Sequence, residues 1–211
     1  METLFINMIA SKNALIIFTR NPELGKVKTR LAATIGNESA LEIYKLLINH
    51  TVRITSTINV DKYVFYSENI QQNDAWNPSI FKKELQNGND LGERMQNAFD
   101  LLFKKGYQKI VIVGSDIYEL DSQDIEDSFI TLKTSPYVIG PAKDGGYYLL
   151  GMKKLNKNIF KNKNWGTDTV FNDTIIDLKE NVVVLLSEKN DIDIYADIKN
   201  MEVFNQFLIK K

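Results

Sequence analysis

Cysteine is absent from this chain of 211 residues, and histidine occurs once, at position 50. Together these exclude disulfides, thiolate zinc sites, iron–sulfur clusters, a cysteine nucleophile and any metal site built from several imidazoles. A dominant charge is missing too: 26 lysines and arginines face 27 aspartates and glutamates, a formal net charge of −1. No long-range field draws such a protein to nucleic acid or to an anionic membrane surface, and neither is expected as a partner. No run approaches the roughly 18 uninterrupted apolar residues of a membrane span. The opening METLFINMIASKNALIIF has no basic segment ahead of its apolar part and is interrupted by Lys12 and Asn13, so it does not read as a signal peptide. The expectation is a cytoplasmic protein. Internal repeats and Pro/Gly/Ser-rich linkers are also lacking. The length suits one sizeable core and is short for two, so residues 1–211 are expected to form a single domain. Nothing in the sequence bears on oligomeric state.

What is present is an alternation of strand-like and helix-like segments. Strands are expected at 14–18, 62–67, 109–114, 137–140, 147–152 and 182–187, with KDGG as a tight turn between the fourth and fifth. KIVIVG, at 109–114, is apolar almost throughout, as a strand buried on both faces would be. Helices are expected over about 38–57, 91–105, 122–133 with Ser122 as cap, 168–179 and 196–209. The first of these lines up Ile43, Leu46, Leu47, His50 and Ile54 on one face. This order predicts an α/β fold, a mostly parallel sheet covered on both faces. Sheets of that kind bind ligands beyond the carboxyl ends of their strands, which selects the loops 19–30, 114–121, 141–146 and 188–195.

The first of those loops concentrates positive charge. FTRNPELGKVKTRL carries Arg20, Lys26, Lys28 and Arg30 around Gly25, against one acid, Glu23. Lysine offers a point charge and arginine a planar fork; both suit phosphate, and backbone at a glycine can come close to a ligand. Two familiar phosphate loops do not fit. A P-loop would need glycine at Arg20 and serine or threonine at Val27, and no G-x-G occurs anywhere in the chain. On charge alone, a solvated surface loop is the favoured reading, because charge runs are usually just surface. Asp116 follows a buried strand, where a carboxylate either holds a hard cation such as Mg²⁺ or Mn²⁺ or caps a turn. Asp144 precedes Gly145 and Gly146 and either faces a ligand for which the glycines leave room or simply makes a hairpin turn. Among the late acids, Asp193 is a candidate second metal ligand and Asp197 a helix-start residue.

Four segments in order resemble a known family. RNPELGKVKTRL matches K-x-P-x-x-G-x-V-K-T-R-L with Arg20 in place of lysine, and QNGNDLGERM (86–95) matches Q-x-G-x-D-L-G-x-R-M. GPAKDGGYYLLG (140–151) meets its pattern in full, and Asp193 with Asp197 meets a late D-x-x-x-D, although Ile194, Tyr195 and Ala196 replace the usual Thr-Pro-Glu. The chain thus resembles the glycosyltransferase-like, radical-SAM/selenodomain-associated transferases, relatives of small nucleotidyltransferases with a GT-A-type fold. The resemblance runs from about Ile16 to Asp197. One departure stands out: GSDIYEL has Ile117 and Tyr118 where the family has a small residue and proline, so a stiff turn is lost beside Asp116.

The resemblance implies a GT-A-like three-layer sandwich and a transferase that uses a nucleotide-activated donor, a nucleotide sugar, with Mg²⁺ or Mn²⁺ as cofactor. It also implies site roles. Arg20, Gly25, Lys26, Lys28, Arg30 and Arg94 would bind the nucleotide, and Asp116 and Asp193 the metal. Asp144 would orient the acceptor or act as base. Gly145, Gly146 and Tyr147 would meet a small-molecule acceptor of unknown identity. Trp165 either walls the acceptor pocket or is a half-buried aromatic on the lip of the sheet. The alternatives are a nucleotidyltransferase that releases pyrophosphate and a nucleotide-binding protein without catalysis.

Overall fold

In the computed structural model, residues 12–208 are described. Most of the N-terminal stretch weighed above as a leader therefore lies outside the described residues. Seven strands form one sheet: β1 (Asn13–Thr19), β2 (Asp61–Tyr66), β3 (Phe81–Leu85), β4 (Lys109–Gly114), β5 (Tyr137–Pro141), β6 (Tyr147–Met152) and β7 (Val183–Leu185), in the order β3-β2-β1-β4-β6-β5-β7. β1 pairs in parallel with β2 and β4, β2 with β3, and β5 with β7; β6 alone runs against its neighbours β4 and β5. The expected β5–β6 hairpin is therefore present, and the rest of the sheet is parallel.

The helices are α1 (Thr29–Ile35), α2 (Asn37–Ser56), α3 (Leu91–Lys104), α4 (Ser122–Thr134), α5 (Val170–Asp177), α6 (Tyr195–Ile198) and α7 (Asn205–Leu208). Alternating side chains of each central strand face opposite layers. Leu15, Ile17, Val111 and Val113 pack with Ile43, Tyr44 and Leu47 of α2 and Ile125, Phe129 and Leu132 of α4. Ala14, Ile16, Ile110 and Ile112 pack with Met95, Phe99 and Leu102 of α3 and with Ile159 and Phe160. The result is a three-layer α/β sandwich of the expected class. Continuous apolar strands bury both faces, as parallel strands under two helical layers must.

Several local expectations are corrected. The end of the basic loop is already helical, since Thr29 and Arg30 open α1. The N-cap of α4 is Asp121 rather than Ser122; its carboxylate accepts from Asp124 N–H while Asp124 reaches back to Asp121 N–H. β3 was not anticipated. The single helix expected over 196–209 is instead α6, a 3₁₀ turn at Glu202–Phe204 and α7. Among the described residues, no helix is long and apolar enough to cross a membrane.

Candidate active site

The loops that follow β1, β4 and β5, together with the segment after β7, gather at one end of the sheet, as the fold class requires. They enclose a cleft of about 650 Å³ lined by Arg20, Lys26, Lys28, Arg30, Arg94, Asp116 and Asp193 among others. A second cavity of about 240 Å³ shares Leu91, Gly114 and Asp116 with it and continues to Asp144, Gly146, Tyr147, Trp165 and Asp191.

The basic loop is anchored at two points. Asn21 is buried, its amide donating to the Asn69 carbonyl (2.8 Å) and its Oδ1 accepting from Glu68 N–H (3.0 Å). Val27 is buried in the core below. Between these anchors Lys26 stays on the surface, paired with Glu23 at 2.6 Å. Gly25 sits at the exposed outer turn and is not among the residues lining the cleft. Lys28 follows Val27 with left-handed backbone (φ 48°, ψ 44°), an unusual conformation for lysine. It carries the side chain inward until only 6% of it is exposed, with the ammonium 2.8 Å from Asp116 Oδ2 and 3.9 Å from Asp193 Oδ1. Arg30 pairs with the other oxygen of Asp193.

Lys28 and Arg30 are therefore matched by carboxylates from loops far along the chain. Burial alone would push the Asp116 carboxyl up. The charge of Lys28 and its hydrogen bond, helped by Arg20, hold it below the usual carboxylate range instead. Burial would likewise lower Lys28, but Asp116, Asp193 and Asp191 keep its ammonium above the ordinary value. Asp191, not singled out from the sequence, has the opposite fate. Burial first, then the charges of Asp144 and Asp116, push it up to about 6, against a smaller opposing pull from Lys28. Asp193 is engaged by two cations, whereas Asp191 is the late acid that senses Asp116 and Asp144.

Beneath the cleft lies a hydroxyl cluster that sequence reading missed. Tyr44 of α2 receives the Arg20 N–H at 2.8 Å and lies 3.1 Å from Ser115 Oγ, which in turn donates to Thr19 Oγ1 at 3.1 Å. These groups tie the ends of β1 and β4 to α2. Gln86 does the same across β1 and β2, its amide donating to the carbonyls of Phe65 (3.0 Å) and Thr19 (3.3 Å). Arg94, on the first turn of α3, donates from Nε to the Gly88 carbonyl (3.1 Å) and lines the larger cleft.

On the other side, Asp144 is exposed and its Oδ1 accepts from Gly146 N–H at 2.8 Å, so the hairpin reading and the cavity-facing reading both hold for this residue. The two glycines differ. A Cβ on Gly145, where φ is +86°, would fall 2.2 Å from the Asp168 carbonyl oxygen, so protein backbone rather than a ligand fills that space. Gly146 does line the cavity. Tyr147 also lines it, and burial pushes its phenol up. Trp165 lies half-buried on the lip and against α3, where a Cβ on Gly92 would meet its indole at 2.3–2.4 Å. The GSDIYEL departure is compensated by packing. Ile117 and Leu120 are buried, and Tyr118 sits between His50 (ring centroids 4.8 Å) and Phe204 (5.4 Å). Ile192 N–H donates to the Asp116 carbonyl (3.2 Å), so the late segment braces this loop.

Comparison with known proteins bears on this arrangement. The model of a family described as an uncharacterized protein conserved in bacteria (DUF2064) matches residues 51–167. The chain belongs to that family. A provisionally named nucleotide-diphospho-sugar transferase from Desulfovibrio desulfuricans G20 superposes with a TM-score of 0.82 at 29% identity over 94% of each chain. The 4-diphosphocytidyl-2C-methyl-D-erythritol synthase of Anaerococcus prevotii DSM 20548 gives 0.59 at 9% identity, over 92% of this chain and 96% of its own. A CMP:2-keto-3-deoxy-manno-octonic acid synthetase complexed with CTP gives 0.54 at 9%, over 93% of this chain and 98% of its own. These last two show a shared fold. No functionally curated protein matches the sequence.

Proposed function

We propose that this DUF2064 protein is a divalent-cation-dependent transferase that moves a glycosyl group from a nucleotide sugar to a small acceptor. The observation that carries the reading is the cleft itself. It brings Lys28, Arg30 and Asp116 to the carboxyl ends of β1 and β4, and it opens onto a second cavity where Asp144 waits. The likeness to the Desulfovibrio protein supports the donor class.

Among the described residues, no three His, Cys, Asp or Glu side chains gather closely enough to cage a metal. Mg²⁺ does not need such a cage; it commonly binds through one or two carboxylates plus substrate phosphates and water. Asp116 fits as the protein ligand once Lys28 turns to the phosphates. Asp191, which shares a cavity with Asp116 and makes no ion pair within 4 Å among the described residues, suits as its partner better than Asp193, which Arg30 also engages. When bound, the cation would neutralise charge on the departing diphosphate.

The chain's own groups would do the rest. An acceptor hydroxyl attacks the sugar carbon attached to the diphosphate. The bond from that carbon to the phosphate oxygen breaks, and its electron pair stays on the nucleoside diphosphate. Lys28 and Arg30 face the negative charge that gathers there. The hydroxyl proton passes to Asp144, whose Oδ2 is left open when Oδ1 accepts from Gly146. Asp144→Asn should lower kcat by about 10²–10⁴-fold, the usual contribution of a general base, with donor affinity unchanged.

The test is a thermal-shift panel of NTPs, NDPs and NDP-sugars with and without Mn²⁺, followed by identification of the released product. A ligand at 100 times its Kd stabilises by about 2.7 kcal/mol, which such a panel resolves. A Mn²⁺-dependent shift with one NDP-sugar and release of NDP is the expected result. Preference for an NTP with pyrophosphate release would replace glycosyl by nucleotidyl transfer. Shifts indifferent to the metal, without turnover, would leave a binding protein.

A further inference from the structure

The two cavities differ in charge: acids line both, with Glu68, Asp193 and the shared Asp116 on the larger side, but cations line only that larger side. Arg20, Lys26, Lys28, Arg30 and Arg94 all line the donor-side cleft. The acceptor-side cavity contains Asp116, Asp144 and Asp191, and no lysine, arginine or histidine among its described lining residues. Lys28, which reaches Asp116 at 2.8 Å, is itself a lining residue of the donor side. The rest of the wall is mostly apolar or aromatic and includes Met95, Tyr147, Tyr148 and the half-buried indole of Trp165, which packs against the bare Cα of Gly92.

Resting on the transferase reading above, we infer that the acceptor is an unphosphorylated, non-carboxylate molecule whose nucleophile is a hydroxyl or an amine and whose apolar face stacks on Trp165. A phosphate carries about −1.5 to −2 charge at neutral pH. Binding sites for it supply arginine or lysine; this cavity has the opening residues of α3 and α5, Leu91 and Val170, in its wall, but its charged side chains are all carboxylates. A sugar ring or an amine suits both features, because an aromatic face accepts C–H groups and cations and the carboxylates accept O–H and N–H donors.

The chain's two tryptophans make the test direct. Trp76 is 2% exposed and packs on Phe81, so Trp76→Phe leaves Trp165 as the sole reporter. If that variant does not fold, the blue-shifted emission of buried Trp76 separates the two in the natural chain. Caesium should quench Trp165 at least about threefold more effectively than iodide, and Asp144→Asn with Asp191→Asn should shrink that ratio. Equal quenching by both ions would overturn the inference. Next come matched pairs: glucose and glucose 6-phosphate, glycerol and glycerol 3-phosphate, ethanolamine and phosphoethanolamine. At least one unphosphorylated member should bind about tenfold more tightly than its phosphorylated partner and raise release of nucleoside diphosphate from the donor. Tighter binding of the phosphorylated members, or no response to any pair, would overturn the proposal. Because Trp165 is read without donor, a silent nucleotide panel beside a responsive Trp165 would fail the donor reading alone.

Discussion

Lys28 adopts a backbone conformation that costs a non-glycine residue on the order of 1–2 kcal/mol. What this geometry achieves is an ammonium buried against Asp116, so that the group suited to phosphate and the group suited to a cation satisfy each other. On the proposed function, binding metal and nucleotide together would exchange these partners, whereas binding either alone would leave one charge unmatched. Lys28→Met should therefore weaken nucleotide binding by tenfold or more yet strengthen binding of Mn²⁺ alone, a divergence that titration calorimetry reads directly. Tyr44 is a different kind of residue. Tyr44→Phe leaves the Arg20 N–H without its acceptor at a cost of about 1–3 kcal/mol, lowering Tm by a few degrees, while Ser115 keeps its bond to Thr19. Asp191 gives a pH signature. Its carboxyl titrates at about 6 when folded against an ordinary 3.8, so the folded state holds the proton more tightly. Stability from this group is present below about pH 4 and is lost as pH rises to about 6. Asp191→Asn should remove that decline and raise Tm at pH 7.5, as thermal melts across the range will show. Lys28 and Asp116 were legible in the sequence because each follows a strongly apolar strand. Tyr44 and Asp191 were not, because their partners lie far off in sequence, such as Ser115 71 positions from Tyr44.

At the scale of elements, legibility tracked burial pattern. β1, β4 and β6 are apolar enough to be recognised alone. β3 is FKKEL at the sheet's edge, with only Phe81 buried, and carries no period that marks a strand. Its place is fixed by β2 alone. The break between α6 and α7 was hidden for a related reason. Ile198 and Phe204 both reach the core, and a short turn between them serves that end better than a continuous helix. The junction of α3 with the 161–168 segment shows contact between elements setting residue choice. Gly92→Ala would drive a methyl into the Trp165 ring. The helix itself tolerates alanine, so the expected outcome is a displaced, more exposed Trp165 with red-shifted emission and a nearly unchanged Tm, with Trp76 unaffected.

For the molecule as a whole, the sheet order explains why the four suspected loops converge. β1 and β4 are adjacent at the centre, and β5 lies across β6, so the loops after these strands open at one end. The fold class followed from the alternation of segments, and the converging loops followed from the fold class. The pairing of opposite charges within the cleft did not, because spacing in sequence says nothing of which loops touch. Nor did the difference in charge between the two cavities. It emerges only when the fold gathers Asp144 and Asp191 into a cavity that shares Asp116 with the cation-lined cleft.

The ion pairs that join this cleft also set a timetable. Asp116 trails Lys28 by 88 positions, and Asp193 comes later still. At about 5–20 residues per second on the ribosome, Lys28 waits roughly 4–18 s for its first carboxylate. All seven strands have been made once Leu185 emerges, before the carboxylates of Asp191 and Asp193 exist. The strands of the sheet thus exist in the growing chain before the late carboxylates do, and the segment made after β7 adds both those acids and the core residues Ile198 and Phe204.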